Sequence, residues 1–171
     1  MANIACGFHA GDPSTIANTL TLTKRFNNEI GAHPAYPDLV GFGRRSLNCS
    51  ADELTHLLHY QIAALDGMAA VHQQTVRYVK PHGALYNDMM ADTTILETVM
   101  KAVASYPKPL KLMMLATANA ARHQQMAESL GLSLWLEAFA DRRYDDQGKL
   151  VHRSQAGAVL SAQQIIAQVT Q

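Results

Sequence analysis

Hydrophobic positions in this chain alternate between short apolar runs and longer stretches of helical period. Behind Asp12-Pro13, Ile16, Ala17 and Leu20 share one face of a segment predicted to be helical to about Asn28. Aspartate accepts from the first free N–H groups of a helix and proline suits its first turn. Ile30 to His33 reads as a short buried strand. Ser50-Ala51-Asp52-Glu53 is a capping box that opens the most periodic helix, with Leu54, Leu57, Leu58, Ile62, Leu65 and Met68 at helical spacing. Val76–Val79 reads as a strand, and Asp92 caps a helix carrying Ile95, Leu96, Val99, Met100 and Val103. Leu110–Leu115 is a further strand, followed by a helix from Thr117 to Leu130 that Gly131 closes. Leu132–Leu136 is a strand, and Ser161 caps a last helix predicted to turn Ile165, Ile166 and Val169 inward.

Strands alternating with helices specify an α/β fold, parallel strands with helices packed outside. Four or five strands are countable, no linker or repeat divides the 171 residues, and residues 1–171 read as one domain. A complete barrel of eight strand–helix units takes about 250 residues. The expectation is therefore a small open sheet or an incomplete barrel.

Composition narrows the function classes. Lys plus Arg balances Asp plus Glu at 14 each, so no basic surplus calls for nucleic acid. The longest apolar runs, such as Leu110 to Ala116, are far too short to span a bilayer. No secretion signal is visible at the start, and Cys6 and Cys49 match no metal or redox spacing, which fits a cytoplasmic protein.

Reactive side chains follow the strands. His9 and Asp12 come after the first, His33 ends the next, Lys80 and His82 follow Val76–Val79, and Glu137 and Asp141 follow Leu132–Leu136. In parallel α/β folds the carboxyl ends of the strands form one rim, where sites are built. Gly41-Phe42-Gly43-Arg44-Arg45 suits an anion, since guanidinium forks match carboxylate and phosphate. In Lys80-Pro81-His82-Gly83, the lysine can act as a base or hold an oxyanion, and the histidine can transfer protons or ligate a metal. Plainer readings compete: Asp12 as a helix cap, His9 as a structural ring, Arg44 and Arg45 as solvated charges, and Asp141 paired with Arg142 or Arg143. His56 and His59 lie away from the leucine face and read as solvated, while His72, His123 and His152 have no convergent context. No phosphate loop of the G-x-x-x-x-G-K-[ST] type, no G-x-G-x-x-G after a strand and no G-x-S-x-G elbow occurs.

Four motifs together, "ANIACGFHAGDP", "GAHPAYPDLVGFGRR", "YVKPHGALYN" and "FADRRYDDQGKLVHRSQAGAV", resemble the LamB/YcsF lactam-utilisation family, which supplies the A-subunit of 5-oxoprolinase. They occur in the family's order and cover most of the chain. The resemblance implies an incomplete TIM-like barrel, seven-stranded when whole and of the glycoside hydrolase/deacetylase type. This chain lacks the family's acidic D-L-N-C-D-x-G-E strand and its late T-x-C-V-H-G-D strand, and has Ala35 where glycine is expected. It further implies ATP-dependent opening of 5-oxo-L-proline (pyroglutamate), a lactam, to L-glutamate, together with two other 5-oxoprolinase subunits.

On that reading His33, Lys80, His82 and Asp12 are the catalytic candidates. Asn3, Arg44, Arg45, Tyr86, Asn87, Glu137, Asp141 and Arg142 are candidates for binding substrate or phosphate. His9, His33 and His82 can alternatively hold a divalent metal, with Asp12 as an oxygen ligand. ATP is expected largely on a partner or at a subunit junction. Exposed sheet edges predict homo-oligomers. Two further readings are a metal-dependent deacetylase-like hydrolase and a non-catalytic truncated remnant that only binds.

Overall fold

Five strands form one sheet in the order of the sequence: β1 (Ala2–Ala5), β2 (Ile30–His33), β3 (Val76–Val79), β4 (Lys111–Leu115) and β5 (Ser133–Glu137). Every neighbouring pair is parallel. The computed structural model describes residues 1–146, 148–151, 153 and 155–170; His152 lies outside the described residues. The crossovers carry α1 (Pro13–Arg25), α2 (Ala51–Val71), α3 (Gly83–Ala91) with α4 (Thr93–Ala104), and α5 (Ala120–Ser129), with α6 (Ala162–Val169) after β5. Parallel strands placed in unbroken chain order, without a reversal, give the winding of a barrel wall.

The sheet's helix side and the helices form one apolar core. Ile4, Ile30, Ala32, Val79, Leu112 and Met114 pack with Ile16, Leu20, Leu54, Leu58, Ile62, Leu65, Leu96, Val99 and Val103. The other side carries residues that alternate with these, polar ones such as Asn3, Tyr78 and Lys111 beside the apolar Met113 and Trp135. Asn3, Gly31, Tyr78 and Lys111 lie in register across four strands. The Tyr78 ring crosses Gly31 and its hydroxyl donates to Asn3 Oδ1 at 2.7 Å. A Cβ on Gly31 would sit 2.2 Å from that ring, so only glycine lets it pass.

Boundaries follow local chemistry. Helix α1 stops at Arg25, short of Asn28, because Asn27 turns left-handed at φ 52°. Helix α5 starts at Ala120, three residues later than the pattern suggested, because Thr117 forms a turn that accepts the Ala120 N–H. The capping box at Ser50 and Glu53 is formed, and Asp92 caps α4.

Three sequence expectations are corrected. Helix α3 is an additional element, hidden in the pattern by Pro81 and Gly83. His59 is not solvated: its Nε2 lies 2.8 Å from Ala102 O and ties α2 to α4. Ile166 and Val169 on α6 point outward, each 64% exposed. The half-buried residues of α6 are Ile165 and Gln168, and the Gln168 amide donates to the carbonyls of Phe139, Ala140 and Arg142. None of the described helices is long and apolar enough to cross a membrane.

Candidate active site

The loops leaving β1, β2 and β3 are sewn together by backbone hydrogen bonds at the carboxyl rim. Lys80 N–H donates to Ala32 O, His82 N–H to Pro34 O, and Ala84 N–H to Gly43 O, all at 2.8–2.9 Å. Asp38 anchors the loop that folds over this rim. Its carboxylate accepts from Gly41 N–H at 2.9 Å and pairs with Arg45, which holds its pKa down to about 2. Gly43 and Gly83, both at positive φ, meet where this loop crosses the start of α3. A Cβ on Gly83 would lie 2.3 Å from Gly43 O, closer than any side chain tolerates.

Beneath the loop three histidines meet. His9 is 3% exposed, and its ring stacks on His82 with centroids 4.1 Å apart and planes 10° apart. His33 lies edge-on to both. His33 Nδ1 is 2.6 Å from Lys80 O, His33 Nε2 is 2.9 Å from His82 Nδ1, and His82 Nε2 is 3.0 Å from Phe42 O. The Phe42 ring packs edge-on against His9 and His82. Burial disfavours charge here. It pulls His9 down to about 4, with His82 adding to the effect, and pulls His33 down to about 3. His82 is lowered too, by burial and then by the nearby Arg44 and Lys80 cations.

Beside the histidines, Glu137 at the end of β5 grips two groups from β3 and α3. Its Oε2 accepts from Lys80 Nζ at 2.6 Å, and its Oε1 accepts from Tyr86 hydroxyl at 3.0 Å. Burial, then Glu137 itself, drives the Tyr86 phenol well above its ordinary range. Lys80 also lies over the Phe139 ring at 5.1 Å. The rim thus holds a lysine ammonium paired with a carboxylate, a phenol donor and a cluster of three imidazole rings.

His9, His33, Lys80, His82, Tyr86 and Glu137 come together, with Arg44 exposed nearby over the Phe42 ring at 5.8 Å. The other expected site residues do not join them. Asp12 caps α1, accepting from the backbone of Ser14 and Thr15 and from the Thr15 hydroxyl. Arg45 is engaged with Asp38, and Asn3 with Tyr78 inside the sheet. Arg142 is buried and staples its own loop by donating to Ala158 O and Val151 O. Asn87 and Asp141 are exposed.

The divalent-metal expectation does not fit this arrangement. The outer nitrogens of His33 and His82 face carbonyls, their inner nitrogens face each other, and His9 presents its ring face. Among the described residues no three His, Cys, Asp or Glu side chains are grouped to hold a metal ion.

Gln61 is a participant that motif reading passed over. Fully buried on α2, it accepts from Ala35 N–H and donates to Ala35 O, each at 2.9 Å, and so fixes the turn two residues after His33. Its signal was an amide interrupting the apolar stripe between Leu58 and Leu65.

The LamB/YcsF family model matches residues 1–171. Among curated relatives, a 5-oxoprolinase A-subunit of Pseudomonas putida is 58% identical over 158 residues, covering 92% of this chain and 61% of that protein. The 5-oxoprolinase A-subunit of Pseudomonas fluorescens (strain Pf0-1) is 55% identical over 158 residues, 92% of this chain and 63% of its own. The chain therefore spans a little over three fifths of the length of these relatives. The crystal structure of the lactam utilization protein from Thermus thermophilus superposes with a TM-score of 0.88 at 36% identity, over 97% of this chain and 66% of that one.

Proposed function

The chain belongs to the LamB/YcsF family, and from that membership and the geometry of the rim we propose that it is a component of an ATP-dependent 5-oxoprolinase. With two partner subunits it opens 5-oxo-L-proline to L-glutamate. The observation that carries the reading is the cluster of buried His9 and half-buried His33 and His82 beside the Lys80–Glu137–Tyr86 clamp, at the carboxyl ends of parallel strands.

Ring opening replaces an amide C–N bond with a C–O bond. Water's oxygen bonds to the carbonyl carbon, water gives up a proton, and the departing ring nitrogen takes one. His33 and His82 supply the proton transfers. Lys80, held by Glu137, and the Tyr86 hydroxyl supply a cation and a donor for the oxygen on which negative charge develops. Arg44 is the exposed cation placed to meet a carboxylate or phosphate entering the rim. A lactam is a stable amide, so ATP supplies the activation. With no phosphate loop in the sequence, the nucleotide is assigned to a partner protein or its junction with this one. The reading places the protein in the cytoplasm, consistent with both cysteines being free.

Among the described residues β1 and β5 each keep one unpaired side. Pairing of such edges with a second copy is part of the proposal, and sedimentation at increasing concentration tests it. The function itself is tested by mixing the protein with its partner subunits and ATP. Glutamate and ADP are expected to form only when 5-oxoproline is present. Glutamate formation unaffected by omitting this chain would overturn the assignment.

A further inference from the structure

Phe42 holds a left-handed backbone at φ 54°, a conformation that bulky side chains rarely adopt. Its loop enforces it. Phe42 N–H donates to Leu39 O at 3.3 Å, Gly43 N–H to Asp38 O at 2.8 Å, and Arg44 N–H to Gly41 O at 3.0 Å. Asparagine or glycine would sit there at less cost. The side chain is also 47% exposed, so its own packing does not account for an aromatic ring at this position. Backbone strain beside a site points to a role for the side chain that bears it.

The ring stands directly against the acid–base groups. Its centroid is 5.4 Å from that of His9 and 5.2 Å from that of His82, edge-on to both. From His82 the contacts continue to His33 Nε2, 2.9 Å away, and from His33 Nδ1 to Lys80 O at 2.6 Å. The Arg44 guanidinium lies 5.8 Å from the Phe42 centroid. Among the described residues no carboxylate lies within ion-pair distance of Arg44, whereas Arg45 is engaged with Asp38. The loop thus offers an apolar ring and an uncommitted guanidinium side by side, next to the histidines.

We propose that Phe42 and Arg44 are the specificity-determining pair of the rim: the exposed part of the Phe42 ring takes the methylene edge of a small lactam and Arg44 takes its carboxylate. The site then selects cyclic amides that carry an acid and discriminates against bare lactams. The inference rests on the ring-opening reading above, and it commits Arg44 to the substrate's carboxylate rather than to phosphate. A guanidinium fork matches a carboxylate with two parallel hydrogen bonds. Methylenes laid against an aromatic ring remove apolar surface of both from water. With the acid and the methylenes held on the loop, the amide is left for His33, His82, Lys80 and Tyr86.

The test is amide NMR titration of the protein with 5-oxo-L-proline and with 2-pyrrolidinone, the same ring without the acid. Wild type is expected to bind 5-oxoproline at least about tenfold more tightly. Arg44→Gln is expected to lose that preference while binding 2-pyrrolidinone as before, a pattern that general loosening of the fold would not produce. Phe42→Asn, which tolerates the left-handed turn, is expected to weaken both lactams by at least about tenfold. Phe42→Tyr, which keeps the ring, is expected to bind both as wild type does. Arg44 is exposed, so its variant decides even where Phe42→Asn does not fold. No binding by wild type, equal affinity for the two lactams, a preference kept in Arg44→Gln, or wild-type affinity in Phe42→Asn would each overturn the proposal. Binding is read without ATP or partner subunits. A wild type that binds in this pattern yet forms no glutamate in the full assay defeats the ring-opening reading alone. Glutamate formed by Arg44→Gln at the wild-type KM defeats the pair alone.

Discussion

At the scale of single residues, the site depends on buried polar groups whose partners are backbone atoms. Gln61 is the clearest case, because both halves of its amide serve Ala35. In Gln61→Leu the Ala35 N–H and C=O are left buried without partners, at about 1–3 kcal/mol each. Denaturant unfolding is expected to show that loss. Turnover falls with it, because the turn holding His33 is no longer fixed. A variant as stable as the wild type would show that Ala35 finds other partners. Asp12 teaches the opposite lesson. Its place in a motif suggested chemistry, yet its carboxylate is occupied in starting α1. A carboxylate before proline at a helix start fits both roles in sequence, and only the direction of its oxygens separates them.

Elements carry the next set of constraints. Strands β2 to β5 were legible to within a residue, because short apolar runs between capped helices leave little choice of period. The capping box of α2 and the Asp92 cap of α4 were legible for the same reason: each is a local pattern with a local physical cause. Helix α3 was not, since Pro81 and Gly83 at its start break the pattern that reveals a helix. Helix α6 keeps Ile165 half-buried but turns Ile166 and Val169 out, because Gln168 takes the inward place by satisfying three loop carbonyls at once. The crossing of Gly83 and Gly43 yields a prediction at this scale. Gly83→Ala adds a Cβ against Gly43 O at φ +60°. It is expected to destabilise the protein by more than about 1 kcal/mol in thermal or denaturant unfolding. It also lifts the Phe42 loop away from His82, seen as faster hydrogen exchange at Ala84. Ordinary stability with unchanged exchange would mean that the close crossing is not required.

For the whole molecule, parallel strands in chain order gather residues from distant segments at one rim. That much of the site was legible from where His9, His33, Lys80, His82 and Glu137 stand relative to the strands. What was not legible was which rim residues face inward, because loop hydrogen bonds set this. Arg45 and Arg142 were turned to structural duty in that way. Burial of the rim also gives the molecule a pH response. An unfolded chain protonates His9 near 6.5, whereas the folded protein resists until about 4. In that window the unfolded state binds more protons, so stability falls as pH is lowered through it. Urea unfolding at stepped pH is expected to show the decline, and His9→Gln is expected to make it shallower, the lowered His33 and His82 keeping their own share. An equal decline in that variant would assign the response to other groups.

The central claim is that the histidine rim of this chain performs the proton transfers of lactam opening. Its most direct measurement is 5-oxoproline-dependent glutamate formation by the protein with its partner subunits and ATP, comparing wild type with His82→Ala. The account predicts a loss of at least about a hundredfold in turnover, the lower end of what positioned acid–base groups contribute. Turnover by His82→Ala at the wild-type rate would contradict it.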